Sequence, residues 1–378
     1  MKFVSKLFLA TVLTLLLAIH AAESAPLIFG EAKPAPEMDS LFQQKDNWIG
    51  GDGVCSVALT PERTLWLFSD TWVGSVRDGK RVNATIVNNT LALQDGRVPG
   101  AKLQFIIRHN ADGKPTAFLT PADHRGWFWM LSGVYVQKHL YMVLMQMDKT
   151  GANNVFGFRQ IGQWLGVVAN PLDPPAAWQV EQYPLPCVQF SPERQMTFGA
   201  SVLEQGGYLY LYGTDEDKKA AGLQRYLTVA RVPTNEVTNF AAWRFYANGE
   251  WDADFHHASR IAGNLATDCS VSFLPKSGQY VLIYTDRGLS PDIEARTAPA
   301  PWGLWSPPTT LYHCPEMGRD KNVFCYGAKA HPSLGNEDQL LINYVVNSFN
   351  FWQPVTNADL YWPRFISVGL ETGKLGQK

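Results

Sequence analysis

Five apolar segments, four ending in Asp and one in Asn, repeat along the chain and restrict its fold more than any other feature. Their ends are about 70 residues apart, which is long for a solenoid repeat but suits a propeller blade with extended loops. In four of the five, a strand of small residues and a Gly- or Pro-containing turn come first, as in a β-hairpin. The segments cover residues 65–70, 140–148, 208–215, 280–286 and 340–347.

The repeat predicts an all-β protein, a five-bladed β-propeller with four-stranded antiparallel blades. Radial repetition is favoured because a closed ring hides the edges of its sheets, and a two-sheet sandwich is the alternative. Residues 360–370 resemble a late strand, with Pro363 at an edge or at the strand start. This strand and residues 27–45 are expected to close the ring, so residues 26–378 are predicted to form one domain.

Composition excludes several classes of protein. Of the 378 residues, 46% are apolar, 12% aromatic and only 17% charged. Disordered chains and coiled coils need more charge and fewer rings, so both are excluded. The net charge of −2 and the lack of a Lys/Arg cluster argue against a nucleic-acid partner.

The N-terminal segment predicts export. Lys2 and Lys6 precede an uncharged apolar run at 7–19, and small residues follow it. A run of about 13 residues is too short to cross a bilayer but typical of a signal peptide. Residues 1–25 are therefore predicted to be a signal peptide, with a buried N-terminal helix as the alternative. The mature protein is expected to be secreted or periplasmic, with no membrane partner.

Export makes disulfides permissible among the five cysteines. Cys314 and Cys325 are the expected pair, because they flank a polar loop that a bridge would staple. Cys55 and Cys269 have similar sequence contexts and are expected to be free, small and buried. No Cys-x-x-Cys or His/Cys ligand spacing occurs, so neither a metal nor another cofactor is predicted.

Two carboxylates at the first hairpin are the candidate catalytic residues. Asp52 lies between glycines where the first inner strand begins, and Asp70 ends the strand that pairs with it. Antiparallel pairing places both at the same rim of the central funnel. Two carboxyls facing one cavity, one with a raised pKa, is the arrangement that glycoside hydrolysis requires. The alternative is structural: Asp70 caps the following turn, and Asp52 forms an Asx-turn with Gly53.

Other repeats supply candidate substrate-binding residues. Asp268 and Asp286 correspond in position to Asp52 and Asp70, and Asp268 is expected to tune a neighbouring pKa or bind a sugar hydroxyl. Structural alternatives stay open, such as a satisfied histidine or an edge-strand ion pair. Adjacent histidines on a strand point to opposite faces, which argues against a metal at 256–257. The other candidates could stack on or hydrogen-bond a sugar: Trp72, His256, Arg287, His331 and Arg364.

Three motifs resemble a known family. Gly-Gly-Asp-Gly at 50–53, Leu-Trp-Leu-Phe-Ser-Asp-Thr-Trp-Val-Gly at 65–74 and Leu-Tyr-Trp-Pro-Arg-Phe at 360–365 resemble five-bladed propellers, formerly of unknown function, that include microbial endo-D-arabinanases. The family more usually has Gly-Asp-Thr where this chain has Ser-Asp-Thr. The resemblance implies a glycoside hydrolase-like fold and carries the catalytic pair onto Asp52 and Asp70, while leaving the substrate open.

The first functional hypothesis is therefore a secreted glycoside hydrolase acting on a polysaccharide or oligosaccharide, with endo-action on arabinan as one specificity to test. A noncatalytic carbohydrate-binding propeller is the alternative. A sialidase is disfavoured, because the chain lacks repeated Ser-x-Asp-x-Gly-x-x-Trp turns.

Overall fold

The computed structural model describes residues 26–152, 156–221 and 224–373, and it is an all-β protein. The predicted signal peptide, 1–25, lies outside the described residues. The short helices are α1 (Pro36–Phe42), α2 (Gln353–Thr356) and 3-10 turns at Pro175–Ala177, Phe240–Ala242 and Phe255–His257. The strands are β1 Leu27–Pro34, β2 Asp46–Gly51, β3 Cys55–Thr60, β4 Arg63–Phe68, β5 Thr71–Arg77, β6 Lys80–Val87, β7 Thr90–Asp95, β8 Lys102–Ile106, β9 Arg108–His109, β10 Pro115–Thr116, β11 Trp127–Val136, β12 His139–Lys149, β13 Phe158–Val168, β14 Val180–Pro184, β15 Gln189–Phe190, β16 Arg194–Gln205, β17 Tyr208–Asp217, β18 Gln224–Pro233, β19 Arg244–Ala247, β20 Glu250–Asp252, β21 Ala262–Gly263, β22 Cys269–Leu274, β23 Gln279–Thr285, β24 Asp292–Ala298, β25 Thr309–His313, β26 Val323–Ala330, β27 Gln339–Ser348 and β28 Pro363–Thr372.

Five antiparallel sheets follow one another along the chain. We number them sheet 1 (β3-β4-β7-β8), sheet 2 (β11-β12-β13-β14), sheet 3 (β15 to β20 in order, with β21 on β18), sheet 4 (β22-β23-β24-β25) and sheet 5 (β26-β27-β28-β1). Sheet 3 has seven strands, so the prediction of four strands in every sheet does not hold there. A smaller sheet, β2-β5-β6, extends from the first hairpin.

The five apolar segments form β4, β12, β17, β23 and β27. Each is the second strand of its sheet if the two-residue strand β15 at the edge of sheet 3 is not counted. Each second strand has a partner on both sides and packs on both faces. Every residue of β23, for example, is buried. Such strands are expected to be apolar at successive positions rather than at every second one. This explains why the repeat is the clearest pattern in the sequence.

Hydrogen bonds through serine side chains and one histidine link each sheet to the next in a closed cycle. The first strands therefore surround a common axis, in the order 1-2-3-4-5-1, as in a β-propeller. The bonds join Ser69 Oγ to Met130 O (3.2 Å), Ser132 Oγ to Gly199 O (2.6 Å), Ser201 Oγ to Val271 N (2.9 Å), Ser270 Oγ to Ala330 N (2.7 Å) and Ser56 Oγ to His331 Nδ1 (2.8 Å).

The N-terminal and C-terminal strands meet in sheet 5. β1 pairs with β28 from Leu27 opposite Thr372 to Pro34 opposite Ile366. Helix α1 then packs where sheets 5 and 1 meet. The Phe42 ring on α1 lies 5.0 Å from the Trp66 ring of sheet 1. The first strand thus pairs with the last one, as expected if the two ends of the domain close the ring.

The predicted disulfide between Cys314 and Cys325 stays a prediction. Cys314 and Cys325 are free and buried, although the structure brings the two thiols into hydrogen-bonding contact. Cys269 is free and buried as expected, while Cys55 is free but only partly buried. No helix among the described residues is long and apolar enough to cross a membrane.

Candidate functional site

A cavity of about 510 Å³ opens at one end of the ring. All five sheets or the loops that follow them contribute to its wall, as expected for a funnel around a common axis. Asp52 and Asp70 lie in this wall together, as the hairpin argument predicted. One residue from each of the other sheets illustrates the arrangement: Met147, Glu216, Asp268 and Tyr326.

Backbone pairing fixes the two candidate carboxylates side by side. Asp52 N–H donates to Asp70 O at 3.1 Å, and Ser69 N–H donates to Asp52 O at 2.8 Å. Gly53 follows with φ +64°, and a Cβ there would lie 2.3 Å from Ser69 Oγ. A glycine is therefore required for this close approach, which holds both carboxylates at the cavity.

Two tyrosines from distant parts of the chain hold the Asp52 carboxylate. Tyr326 OH donates to Asp52 Oδ2 at 2.7 Å, and Tyr361 OH donates to the same oxygen at 2.9 Å. Asp52 Oδ1 is buried without a hydrogen-bond partner in the described part of the chain. This oxygen of Asp52 can therefore carry a proton without donating it to another group of the protein.

Asp70 has different partners. Trp129 Nε1–H donates to Asp70 Oδ1 at 2.8 Å, and Asn88 Nδ2–H donates to the same oxygen at 3.2 Å. Both donors favour the ionised carboxylate.

Burial gives both carboxyl groups a pKa above that of an ordinary aspartate. It raises the pKa of Asp52 to about 7, and the nearby negative charge of Asp70 adds to the rise. Burial likewise raises the pKa of Asp70 to about 6, against the hydrogen bonds from Trp129 and Asn88. Near neutral pH the pair can therefore hold one proton between them, the condition for combined acid and base chemistry.

Asp268 lines the same cavity and forms an ion pair with Lys329, with Oδ1 2.8 Å from Nζ. Lys329 is almost fully buried and also donates to Leu131 O at 2.7 Å. The negative charge of Asp268 contributes to the raised pKa of Asp52. Of the two roles expected for Asp268, the structure thus supports the tuning of a neighbouring pKa.

Trp72 and Arg287 also line the cavity. Trp72 is only 5% exposed, so little of its side chain is accessible. Asp286 does not line the cavity; it lies behind Arg287, with 3.9 Å between Asp286 Oδ2 and Arg287 Nε.

Three predicted substrate-binding residues lie elsewhere. His331 is buried, and its ring nitrogens bond to Ser56 Oγ and Asn343 Oδ1. Burial lowers the pKa of His331 to about 3, so it is a neutral structural histidine. His256 lies in an exposed turn, where its Nδ1 bonds to Asp254 Oδ1 at 2.7 Å.

Arg364 also lies away from the cavity. Its guanidinium stacks on the Trp362 ring at 4.5 Å and pairs with Asp359 and Glu316. Arg364 therefore forms a structural ion pair, but not on an edge strand as the alternative expected, because β28 lies between β27 and β1.

Tyr326, Tyr361, Asn88 and Trp129 were missed as carboxylate partners. Tyr361 lies within the motif 360–365, two residues before Pro363, and this motif was the one available signal for it. The described residues contain no group of three or more His, Cys, Asp or Glu side chains suited to a metal ion.

The chain is similar to several solved structures. A candidate hydrolase from Bacteroides ovatus ATCC 8483 is 19% identical with a TM-score of 0.70, over 90% of this chain and 93% of that chain. An α-L-arabinofuranosidase from Clostridium thermocellum ATCC 27405 is 13% identical with a TM-score of 0.48, over 88% and 92% of the two chains. The catalytic domain of a Coprinopsis cinerea GH62 α-L-arabinofuranosidase is 11% identical with a TM-score of 0.47, over 92% and 98%.

The first of these similarities shows a shared fold, and no curated protein sequence matches the chain. The sequence profile described as "Domain of unknown function (DUF5005)" matches residues 36–370. Because this match covers most of the chain, the protein belongs to the DUF5005 family.

Proposed function

We propose that this protein is an exported glycoside hydrolase that cleaves a polysaccharide in the cavity of a five-bladed propeller. The five sheets and their cyclic hydrogen bonds support five blades, and sheet 3 has extra strands at its edge. One observation carries the function: Asp52 and Asp70 line the same cavity with raised pKa values.

In this proposal Asp52 is the general acid. Its pKa of about 7 keeps it substantially protonated at neutral pH, and its unpartnered Oδ1 can hold the proton. Transfer of that proton to the glycosidic oxygen lets the leaving sugar depart as a neutral alcohol. Tyr326 and Tyr361 then stabilise the aspartate anion that forms.

Asp70 is the second carboxylate. Ionised, it can accept a proton from an attacking water, which inverts the anomeric centre. Alternatively it attacks that centre to form a glycosyl-enzyme, which water then hydrolyses while Asp52 accepts the water's proton; the two displacements together retain the configuration. Proton NMR of the first product formed distinguishes the two, since the anomeric signal appears before mutarotation.

The test is turnover of soluble polysaccharides by the mature protein. Arabinans come first, because the motifs at 50–53 and 65–74 resemble those of endo-D-arabinanases, followed by a galactan, a xylan and a β-glucan. New reducing ends should appear, and Asp52→Asn and Asp70→Asn should each lower kcat by about 10²–10⁴-fold. Asp112→Asn, in an exposed turn, is the matched control and should leave kcat unchanged.

A carbohydrate-binding protein without activity would give a different result. The wild type would bind a polysaccharide without releasing reducing ends, and the two Asn variants would alter only binding. Export is tested separately, by N-terminal sequencing of the mature protein, which should begin near residue 25.

A further inference from the structure

Exposed apolar side chains are concentrated at the mouth of the cavity. Five of them, each 41–66% exposed, lie on three loops: Phe156, Leu289, Phe349, Phe351 and Trp352. Phe156, Leu289 and Phe351 line the cavity itself. Singly exposed apolar residues are ordinary, but a contiguous group beside a site indicates an interaction surface.

Two of these side chains form one surface, which we call the aromatic platform: Phe351 and Trp352. Ring contacts connect the platform to the buried wall of the site. The Phe351 ring lies 5.4 Å from Trp352 and 6.1 Å from Trp72. Because Trp72 is two residues from Asp70, the platform continues outward from the proposed catalytic pair.

The turn that presents the platform is held in place by its own polar groups. Ser348 Oγ accepts from Asn350 N–H at 3.0 Å, and Asn350 Oδ1 accepts from Trp352 N–H at 3.2 Å. Gln353 Nε2–H donates to Asp320 Oδ2 at 2.8 Å. The rings are therefore exposed on an ordered turn, which reduces the entropy lost when a ligand binds.

The chemistry of the platform restricts what it can bind. It contains no charged side chain, so it offers neither a salt bridge nor a strong hydrogen bond. Sugar rings have apolar C–H faces that pack on aromatic rings. A glycan chain that enters the cavity at Asp70 meets this surface as it leaves.

Resting on the proposed hydrolase function, we propose that the aromatic platform binds sugar units beyond the cleaved linkage. The substrate is then a chain of several sugar units rather than a short glycoside. A second copy of this protein is the competing occupant, and the experiment must separate the two.

Binding is measured first, in the Asp70→Asn background, so that little substrate is consumed. Affinity electrophoresis uses gels that contain arabinan, galactan, xylan or β-glucan. For the retained polysaccharide, Trp352→Ala should weaken binding about tenfold, as for an exposed aromatic anchor, and Trp352→Phe should restore most of it. Leu172→Ala, an exposed apolar control away from the cavity, should leave retention unchanged.

Turnover is measured next, with the same substitutions in the wild-type background. Trp352→Ala should lower kcat/KM on the polymer about tenfold without changing the thermal midpoint. Retention without turnover in the wild type contradicts the hydrolase proposal and leaves the platform standing. Turnover that Trp352→Ala does not affect contradicts the platform alone.

Two further results would overturn the proposal. One is that none of the four polysaccharides is retained. The other is a dimer, measured by light scattering, that Trp352→Ala converts to a monomer, because the platform would then be a contact between two copies of the chain.

Discussion

At the level of single residues, Asp52 and Asp70 share one backbone pair yet have different surroundings. Two tyrosine hydroxyls contact Asp52, whereas an indole and an amide contact Asp70. Burial raises both pKa values, and the charge of Asp70 raises that of Asp52 further. These differences supply an acid and a base from two residues of the same type.

The pair predicts a bell-shaped dependence of kcat/KM on pH. Activity requires Asp70 ionised and Asp52 protonated, so the limbs should fall near pH 6 and pH 7. They belong to the coupled pair rather than to either residue alone. The profile is measured on whichever polysaccharide is cleaved, and activity that rises steadily up to pH 9 would contradict the assignment.

Asp268→Asn should move the alkaline limb to lower pH. The substitution removes a negative charge that raises the pKa of Asp52, and it leaves Lys329 without its partner. Both changes favour the ionised form of Asp52. The comparison is the pH profile of Asp112→Asn, which should match the wild type; an unshifted or raised limb in Asp268→Asn would contradict the tuning role.

The thiols of Cys314 and Cys325 are in contact but not bonded. If the protein is exported as we propose, the oxidising compartment should join them. The bridge would stabilise the fold by about 2–3 kcal/mol if it is unstrained. Peptide mass mapping of the exported protein without reductant tests this, and recovery of both cysteines as free thiols would reject it.

At the level of elements, Arg81 on β6 joins parts of the chain that are far apart in sequence. Its buried guanidinium donates to the carbonyls of Ile49 and Leu360 at 2.8 and 2.7 Å, and to Pro354 O. Burial lowers the pKa of Arg81 to about 10, still well above neutrality. Arg81 thus ties β2 and α2 to the segment that positions Tyr361, which has φ +68°.

Arg81→Lys should therefore impair both stability and the site. Lysine keeps the charge but lacks the planar fork, so several buried carbonyls lose their donors. We expect a loss of about 3 kcal/mol in unfolding free energy. The alkaline limb of the pH profile of kcat/KM should also shift, because Tyr361 contacts Asp52. Urea unfolding and pH profiles measure the two effects.

Arg77→Lys is the matched control for this substitution. Arg77 lies on the neighbouring strand β5, and its ion pair with Asp46 is exposed, so both measurements should be nearly unchanged. Equal behaviour of the two variants would show that Arg81 does not position the site.

At the level of the whole molecule, His331 completes the cycle of sheets. Its bond to Ser56 joins the last sheet to the first, and its second nitrogen bonds to Asn343. Burial disfavours the protonated, charged form of the ring, which is why the folded state favours the neutral ring. The closure of the ring is thereby sensitive to acid.

The sign of this effect follows from proton binding. Because burial lowers the pKa of His331 to about 3 from the ordinary 6.5, the unfolded state binds more protons between these values. The contribution to stability is complete above about pH 6.5 and declines as the pH falls towards 3, by up to about 1.4 kcal/mol per unit.

His331→Asn should remove this dependence. At pH 7 the wild type should have a larger free energy of unfolding than the variant. At pH 4.5 this difference in unfolding free energy should be smaller by about 2 kcal/mol. The difference between the two proteins is used because Asp52 and Asp70 contribute equally to both. Urea unfolding at each pH measures the gap, and a constant gap would contradict a buried neutral histidine.

The sequence by itself determined the strand pattern and the position of the carboxylate pair. The apolar segments were visible because second strands are buried on both faces, so most of their positions are apolar. Asp52 and Asp70 could be paired because they lie at two ends of one short hairpin, where register follows from the turn. Both inferences use local information only.

Only the tertiary structure decided which groups surround that pair. Tyr326 and Tyr361 reach Asp52 across 274 and 309 residues of sequence, and no local periodicity encodes such contacts. The same reason explains why His331 was wrongly expected to bind substrate. In the sequence it lies beside a strand, where a residue that lines the funnel would also lie. Its side chain instead lies between the first and last sheets. Which sheets become neighbours depends on closure of the ring, and that closure sets the burial and charge around every titratable group.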